Sequence, residues 1–392
     1  MKSRLPRLLS LLAIVALLGG CSSLTDLKTD MSERMFGREP ANPPTPLKEF
    51  KSRAQSKIIW SAKVGEAGNF TFTPAVDNGQ VYSASANGDI YRFDAASGKQ
   101  IWHITAGEGL SAGVGVGENL VLAGTPSGYV IAYNQDGKLL WKSRVSSEVL
   151  SAPQVSAGIV VVRAGDGRIF GLSAVDGSRK WVYQRATPTL SLRSSAGVAI
   201  DTGAVYVGFA GGKLIALRLD DGKIIWEASV AQPRGVTEIE RIADITSLPI
   251  VDGPLVYAVA YQGKIAAIDR ASGRVIWARD ISSYTGMNAE ESRIYVTHAN
   301  GSVYALAYDS GKTFWKQDDL MYRHPTAPLP MGGVIAIGDL EGYVHFLDRE
   351  DGSFYSRVRT VESPILARMT ALGTNGMLAQ TRNGGLYAIS IK

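Results

Sequence analysis

Short apolar runs separated by polar turns recur along most of the chain. Many runs are rich in Val, Ile and Tyr, as in Val81-Tyr-Ser-Ala-Ser and Arg293-Ile-Tyr-Val-Thr, which is typical of β-strands. A second set of strands begins with glycine, as in Gly212-Lys-Leu-Ile-Ala-Leu, and a weaker strand of small residues such as Thr73-Pro-Ala-Val opens each unit. A fourth run, described next, ends in an aromatic residue. The pattern therefore predicts four strands per repeating unit.

The aromatic residues set the length of the repeat. Most of them end one phrase, for example Asp269-Arg-Ala-Ser-Gly273-Arg-Val-Ile-Trp277. In this phrase Asp opens a hairpin turn through its side chain and Gly takes the positive φ that the turn needs. Successive members are 38 to 51 residues apart, and all seven tryptophans belong to the series, which Tyr355 continues: Trp60, Trp102, Trp141, Trp181, Trp226, Trp277 and Trp315.

Four strands in about 40 residues make a β-propeller blade, with the aromatic side chain packed between blades. Seven units end at Trp102 and at the later members of the series. Residues 364–391 supply three more strands, and Lys57-Ile-Ile-Trp60 supplies the missing fourth. The sequence therefore predicts an all-β fold over residues 57–392, an eight-bladed propeller of four-stranded antiparallel blades whose last blade is closed by an N-terminal strand.

The N-terminal segment predicts export. Lys2, Arg4 and Arg7 precede an apolar run that is short for a membrane span and fits a signal peptide over residues 1–20. The next residues, Leu18-Gly19-Gly20-Cys21, resemble the lipobox of bacterial lipoproteins, which implies that Cys21 is lipidated, for example with palmitate. The alternative is an ordinary signal peptide followed by a chance cysteine. Residues 21–56 are polar and rich in proline, which indicates a flexible tether.

Composition argues against some partners. The chain has 41 basic and 36 acidic side chains, but Lys2, Arg4 and Arg7 belong to the predicted signal peptide, so the excess in the mature chain is small. We therefore expect no nucleic-acid partner. In the lipoprotein sorting rule, Ser22 after the lipidated cysteine implies passage to the outer membrane. The predicted location is the outer membrane, with a lipid anchor and a body that faces the periplasm.

Two connections between units are longer than the rest. They contain residues 185–193 and 235–246, and both join the outer strand of one blade to the inner strand of the next. They should therefore lie side by side on one face, opposite the Asp-Gly turns, where repeat scaffolds often carry function. Leu190, Leu192 and Arg193 could form an apolar and cationic contact. Alternatively, the leucines pack into the propeller.

The second connection contributes acidic side chains, namely Glu238, Glu240 and Asp244. They could form a binding surface beside the first connection. The alternative, favoured for Glu240, is that the charges form local, solvated pairs.

The repeat phrase resembles that of the quinoprotein-like propellers, and the whole chain resembles the BamB family of outer-membrane protein assembly factors. The resemblance implies a non-catalytic scaffold lipoprotein that binds BamA and the rest of the barrel-assembly (BAM) complex, and possibly unfolded outer-membrane proteins. It also implies that Leu190, Leu192, Arg193 and Asp244 contact BamA. Thr246 departs from this pattern, because a second acid is expected there.

The alternative function is that of a periplasmic quinoprotein-type (PQQ-dependent) dehydrogenase. The chain lacks the adjacent cysteine pair typical of the alcohol-oxidising members, and its histidines have no metal-ligand spacing. The run Gly113-Val-Gly115-Val-Gly117 lacks the helix of a phosphate loop and is interpreted as a strand and turn. We therefore expect a binding protein without a catalytic residue, cofactor or metal.

Overall fold

The computed structural model describes residues 42–186, 188 and 190–392. The chain divides into two units, residues 1–44 and 45–392, and every strand given below belongs to the second. The predicted signal peptide and Cys21 lie outside the described residues. The described part contains strands and turns but no helix. It therefore has no helix that is long and apolar enough to cross a membrane.

Eight four-stranded antiparallel sheets, numbered here as blades 1 to 8, make up the second unit. Blades 1 to 4 contain β2 (Ala75–Asp77), β3 (Gln80–Ala84), β4 (Asp89–Asp94) and β5 (Gln100–Thr105); β6 (Ala112–Gly117), β7 (Leu120–Gly124), β8 (Tyr129–Asn134) and β9 (Leu139–Arg144); β10 (Gln154–Ser156), β11 (Ile159–Arg163), β12 (Ile169–Ser173) and β13 (Arg179–Tyr183); β14 (Ala199–Asp201), β15 (Ala204–Phe209), β16 (Lys213–Arg218) and β17 (Ile224–Ser229). Blades 5 to 8 contain β18 (Ile250–Asp252), β19 (Leu255–Val259), β20 (Ile265–Asp269) and β21 (Val275–Arg279); β22 (Gly286–Glu290), β23 (Arg293–Thr297), β24 (Val303–Ala307) and β25 (Thr313–Gln317); β26 (Leu329–Met331), β27 (Val334–Gly338), β28 (Tyr343–Asp348) and β29 (Phe354–Arg359); β30 (Thr370–Ala371), β31 (Gly376–Gln380), β32 (Gly385–Ile391) and β1 (Ser56–Lys63).

The first strands of neighbouring blades contact each other around a closed ring, including those of blades 8 and 1. Blade 8 has the order β1-β32-β31-β30, so the N-terminal strand is its outermost member. Ser56 pairs with Ile391 and Lys63 with Gly385, antiparallel, with one register shift between Ile58 and Trp60. The predicted eight-bladed propeller, closed by strands from both ends of the chain, is confirmed.

Burial explains the near-continuous apolar sequence of the middle strands. All five residues of β19 and of β27 are buried, because each blade is covered by a neighbour on both faces. Outer strands are different: in β9 and in β17 the tryptophan is buried between exposed neighbours. The core is therefore a series of layers between blades.

Each tryptophan joins two blades, as the repeat predicts. The Trp181 indole N–H donates to the Leu219 carbonyl of the next blade at 2.8 Å. A register shift in the strand pairing just before Trp181 recurs at equivalent places in the other blades, and such bulges re-aim a side chain. The turn glycine of the next blade, Gly222, has φ +69° and lies against the Trp181 ring, where a Cβ would stand 2.5 Å from a ring atom. Glycine is therefore required at position 222 both by the positive φ and by the close Trp181 ring. The turn phrase in the sequence predicts the first requirement and not the second.

The folded body begins before the closing strand. The Thr45 amide donates to the Met321 carbonyl at 3.0 Å. The Phe50 ring stacks on Phe354 with 5.2 Å between centroids. Residues 45–55, which belong to the expected tether, thus lie against blades 6 and 7, whereas the first propeller strand begins at Ser56, next to the expected boundary.

Candidate interaction site

Two long connections lie on one face of the propeller, in adjacent blades. The first, residues 184–198, joins blade 3 to blade 4, and the second, residues 230–249, joins blade 4 to blade 5. The turns between the second and third strands of each blade share this face, because antiparallel strands alternate in direction. Gly211 belongs to such a turn, in blade 4. The two connections are called here the blade 3–4 loop and the blade 4–5 loop.

Asp244 of the blade 4–5 loop binds both the blade 3–4 loop and the turn at Gly211 in blade 4. Its carboxylate accepts the Leu192 amide at 2.7 Å through Oδ2 and the Gly211 amide at 3.0 Å through Oδ1. The side chain is 3% exposed. A buried carboxylate that accepts two backbone N–H groups fixes the conformation of both segments. Asp244 therefore lies beneath the surface and is not one of the exposed acids of the binding surface expected from the sequence.

Further contacts support the blade 3–4 loop from below. The Arg163 guanidinium donates to the Ala196 carbonyl at 3.3 Å. Burial lowers the pKa of Arg163 to about 10, and the nearby carboxylate of Asp244 opposes this shift, so Arg163 remains protonated at neutral pH. The Ser194 hydroxyl donates to the Thr246 carbonyl at 3.3 Å. The loop is thus supported by blade 3 and by the blade 4–5 loop together.

Arg193 extends from this loop towards blade 3 and the centre of the face. Its guanidinium donates to both carboxylate oxygens of Glu148, at 3.0 and 2.8 Å, and this pairing lowers the pKa of Glu148. It also lies 5.7 Å from the centre of the Phe70 ring. About half of the Arg193 side chain stays exposed, so the cation is oriented but still accessible to a partner.

Exposed apolar side chains accompany the cation. Leu190 is 42% exposed and Leu192 is half-buried. On the blade 4–5 loop, Val236 is 96% exposed and Ile239 is 67% exposed. Neither of the last two was singled out from the sequence, where an isolated apolar residue among charges gives no sign of its exposure. Together these side chains give the face apolar groups on both loops.

Glu240 has a local structural role. Its carboxylate accepts the Val236 amide at 2.8 Å and the Thr237 amide at 3.1 Å, and the Thr237 hydroxyl accepts the Glu240 amide at 3.2 Å. This is the reciprocal geometry of a capping box. These backbone hydrogen bonds, with the one from Thr237 the largest cause, lower the pKa of Glu240. Glu238 remains a surface acid, 3.9 Å from Arg241.

Thr246 stands where a surface acid was expected, but its side-chain oxygen is not at the surface. Its hydroxyl is buried and has no hydrogen-bond partner within the described part of the chain. Thr246 lines a small cavity below the blade 3–4 loop. It also lines the central channel, which the first strands of the blades surround.

The residues of the central channel do not fit a quinone with a divalent cation. The channel has a volume of about 900 Å³, and its only lining carboxylate within the described residues is Asp201, which pairs with Arg270. Nowhere in the described ranges do three or more His, Cys, Asp or Glu residues form a metal-binding group. Calcium and similar hard cations require several oxygen ligands, and this lining supplies one engaged carboxylate.

Known proteins are similar to this chain over most of its length. A family model described as outer membrane protein assembly factor BamB matches residues 52–103, 86–317 and 299–392. The outer membrane protein assembly factor BamB of Nitrosomonas eutropha is 41% identical over 386 residues, which cover 97% of this chain and 94% of the relative.

Two solved structures are also similar. The crystal structure of BamB from Moraxella catarrhalis has a TM-score of 0.79 at 27% identity, covering 86% of this chain and all of that chain. A quinohemoprotein alcohol dehydrogenase from Comamonas testosteroni has a TM-score of 0.71 at 13% identity, covering 86% of this chain and 76% of that one. The second similarity shows a shared fold alone.

Proposed function

The chain belongs to the family of the outer membrane protein assembly factor BamB, and from this premise we propose that it is a non-catalytic scaffold of the BAM complex. In this proposal the blade 3–4 loop binds BamA directly. Binding would assist the folding and insertion of β-barrel proteins into the outer membrane. The observation that carries the proposal is the Asp244 carboxylate, which holds the Leu192 amide and so presents an apolar and cationic segment in one conformation.

Preorganisation favours this segment as a binding site. A loop that is ordered before association loses less conformational entropy when the partner binds. The Leu-Ser-Leu-Arg segment has no strand structure, yet Asp244 fixes its Leu192 amide and Glu148 fixes its Arg193 side chain. The next residue, Ser194, bonds the blade 4–5 loop. Such support is expected where a loop works in recognition.

The exposed groups have the anatomy of an interface. A few residues, Arg among the commonest, carry most of the binding energy in protein complexes, and apolar groups around them exclude water, whereas charges outside the centre mostly affect association rate. Here Leu190, Leu192 and Arg193 would be the anchors on the blade 3–4 loop. Val236 and Ile239 would extend the apolar contact on the blade 4–5 loop. Asp244 contributes by positioning Leu192.

Glu148 sets a condition on the partner. The Arg193 guanidinium donates to Glu148 through Nε and Nη2. Its remaining N–H groups can still donate to another acceptor. A partner carboxylate or carbonyl could therefore bind Arg193 without breaking the internal pair. The pair would orient the cation before BamA arrives.

The proposal includes the predicted anchor. Acylation of Cys21 would attach the chain to the outer membrane with the propeller in the periplasm, where the two loops could reach periplasmic parts of BamA. Several acyl chains on one residue give firm attachment. Residues 22–44 would then form the tether.

The test is co-purification with BamA of a loop variant and of a matched control. Leu192→Ala with Arg193→Ala should lower the affinity about thirtyfold or more, corresponding to about 2 kcal/mol for a true anchor, and should leave the melting temperature nearly unchanged. The control is Lys99→Ala with Lys312→Ala, two exposed lysines on the opposite face, which should bind like the wild type.

The opposite pattern would refute the assignment. If the lysine pair disrupts the complex and the Leu192 and Arg193 changes do not, BamA binds the other face. Equal loss in both variants would indicate a fold defect, which the melting temperatures would reveal.

A further inference from the structure

The central channel contains a cation that has no counter-ion in the part of the chain that the structure describes. Within the described residues, its lining has two charged side chains, Arg368 and Asp201. Asp201 is already paired with Arg270 and accepts the Thr202 hydroxyl at 2.7 Å. Arg368 thus gives the channel an unbalanced positive charge.

Among the described residues, Arg368 has no hydrogen-bond acceptor. No carboxylate or carbonyl of the described part of the chain accepts a hydrogen bond from it, and its Nη1 atom is buried. Burial lowers the pKa of Arg368 to about 10, so the guanidinium remains charged at neutral pH. An unpaired charge that is partly withdrawn from water is costly to a fold, and in a cavity it marks a candidate binding site.

Three hydroxyl groups in the channel wall also lack a hydrogen-bond partner among the described residues. The side chains of Thr246, Ser247 and Thr285 line the channel, and their oxygen atoms are buried without a partner in the described structure. Each belongs to the segment just ahead of a first strand, β18 or β22, as Arg368 precedes β30. All four groups therefore lie towards the same end of the channel, the end beneath the two long loops.

We propose that this end of the channel binds one small oxyanion, a carboxylate or a phosphate group, through the Arg368 guanidinium and hydroxyl groups of the surrounding channel wall. The planar guanidinium matches the two oxygens of an oxyanion. Hydroxyl donors complete the coordination, because an anion in a cavity needs several donors. The inference does not depend on BamA binding, since none of these groups is an exposed anchor of the loops.

The experiment is a thermal titration of the purified full-length lipoprotein in a buffer that contains no other small oxyanion. Sodium acetate and inorganic phosphate are added separately at constant ionic strength. A ligand that binds only the native state raises the melting temperature in a saturable way. We expect one of the two anions to give a saturable rise, which also distinguishes a carboxylate source from a phosphate source.

The variants assign the effect to the channel. Arg368→Gln removes the charge and should weaken the apparent affinity at least about tenfold, the effect of losing one charge-assisted contact. Thr285→Val should weaken it less. The control, Arg382→Gln, removes an exposed arginine of the same blade and should titrate like the wild type.

Three outcomes would overturn the proposal. They are a wild type that shows no saturable shift with either anion, an Arg368→Gln protein that shows the same half-saturation as the wild type, and an Arg382→Gln protein that loses the shift. If Arg368→Gln does not fold, Arg368→Lys and Thr285→Val decide. Both should keep a weakened response, and an unchanged half-saturation in both would refute the site.

Discussion

Replacing Asp244 by Asn tests whether the recognition loop is held from beneath. The asparagine is nearly the same size but offers one acceptor oxygen, and its NH₂ group faces one of the two backbone N–H groups that the carboxylate accepts. One donor, of Leu192 or of Gly211, is then left without a partner. The Arg163 guanidinium also loses its nearby negative charge.

The size of the effect follows from the two hydrogen bonds. A hydrogen bond to a charged group contributes about 1.5 to 3 kcal/mol, so losing one should favour local opening of the blade 3–4 loop by about 2 kcal/mol. That is roughly a thirtyfold change in the open population. The ring should stay folded, because local opening does not require the strands to separate.

Two measurements follow this opening. Hydrogen exchange of peptides that contain the Leu192 amide should become about thirtyfold faster in Asp244→Asn. Affinity for BamA should fall, by a similar factor at about 0.05 and 0.5 M salt, because a buried positioning group is little affected by screening. The control is Glu238→Gln, which removes an exposed charge from the same connection and should change neither exchange nor loop conformation.

A salt-dependent result would refute this reasoning. If Asp244→Asn changes the association rate at low salt and leaves exchange at Leu192 unaltered, the carboxylate acts at the surface. Asp244 would then contact BamA directly, as the family resemblance implies.

Three other predictions concern the scaffold and its anchor. Deleting β1, residues 56–63, should lower the melting temperature by roughly 10 °C or more, because blade 8 loses the strand that closes the ring; an unchanged melting curve would mean that this strand is dispensable. Gly222→Ala should destabilise by about 1 to 3 kcal/mol more than Gly203→Ala in chemical unfolding, since both have positive φ but only Gly222 lies against Trp181; equal losses would contradict the ring contact. Cys21→Ala should abolish incorporation of labelled fatty acid and membrane retention, and retention of either would contradict the anchor.

The blade architecture could be predicted because each unit repeats its own local signal. The Asp-x-x-Ser-Gly phrase makes a turn whose hydrogen bonds are local, as with the Asp94 carboxylate and the Ser97 amide at 2.8 Å. Trp60 and the closing strand could be assigned by counting alone. What could not be seen was the contact of each turn glycine with the preceding tryptophan, because a Gly98 contact with Trp60 joins different blades.

Residues 45–55 show a different limit. A proline-rich, polar segment has the composition of a tether, and its own sequence contains no strand pattern. Phe50 is nevertheless held by Phe354 and by the Arg357 guanidinium, 5.0 Å from its ring centre. Such a segment is ordered by partners about 300 residues away, which no local pattern reports.

The two long loops are interdependent, and this explains why their roles were only partly predictable. Leu192 and Asp244 are 52 residues apart and join different pairs of blades, yet the carboxylate of one loop determines the backbone of the other. In the sequence, Asp244 stands near Glu238 and Glu240 and looks like one of a group of surface acids. Its burial depends instead on the turn at Gly211 and on Arg163 beneath it. The blade 4–5 loop is therefore needed for presentation of the blade 3–4 loop, even where it makes no contact with a partner. Shortening it around Asp244 should impair recognition by Leu190 and Arg193 while those two residues remain in place.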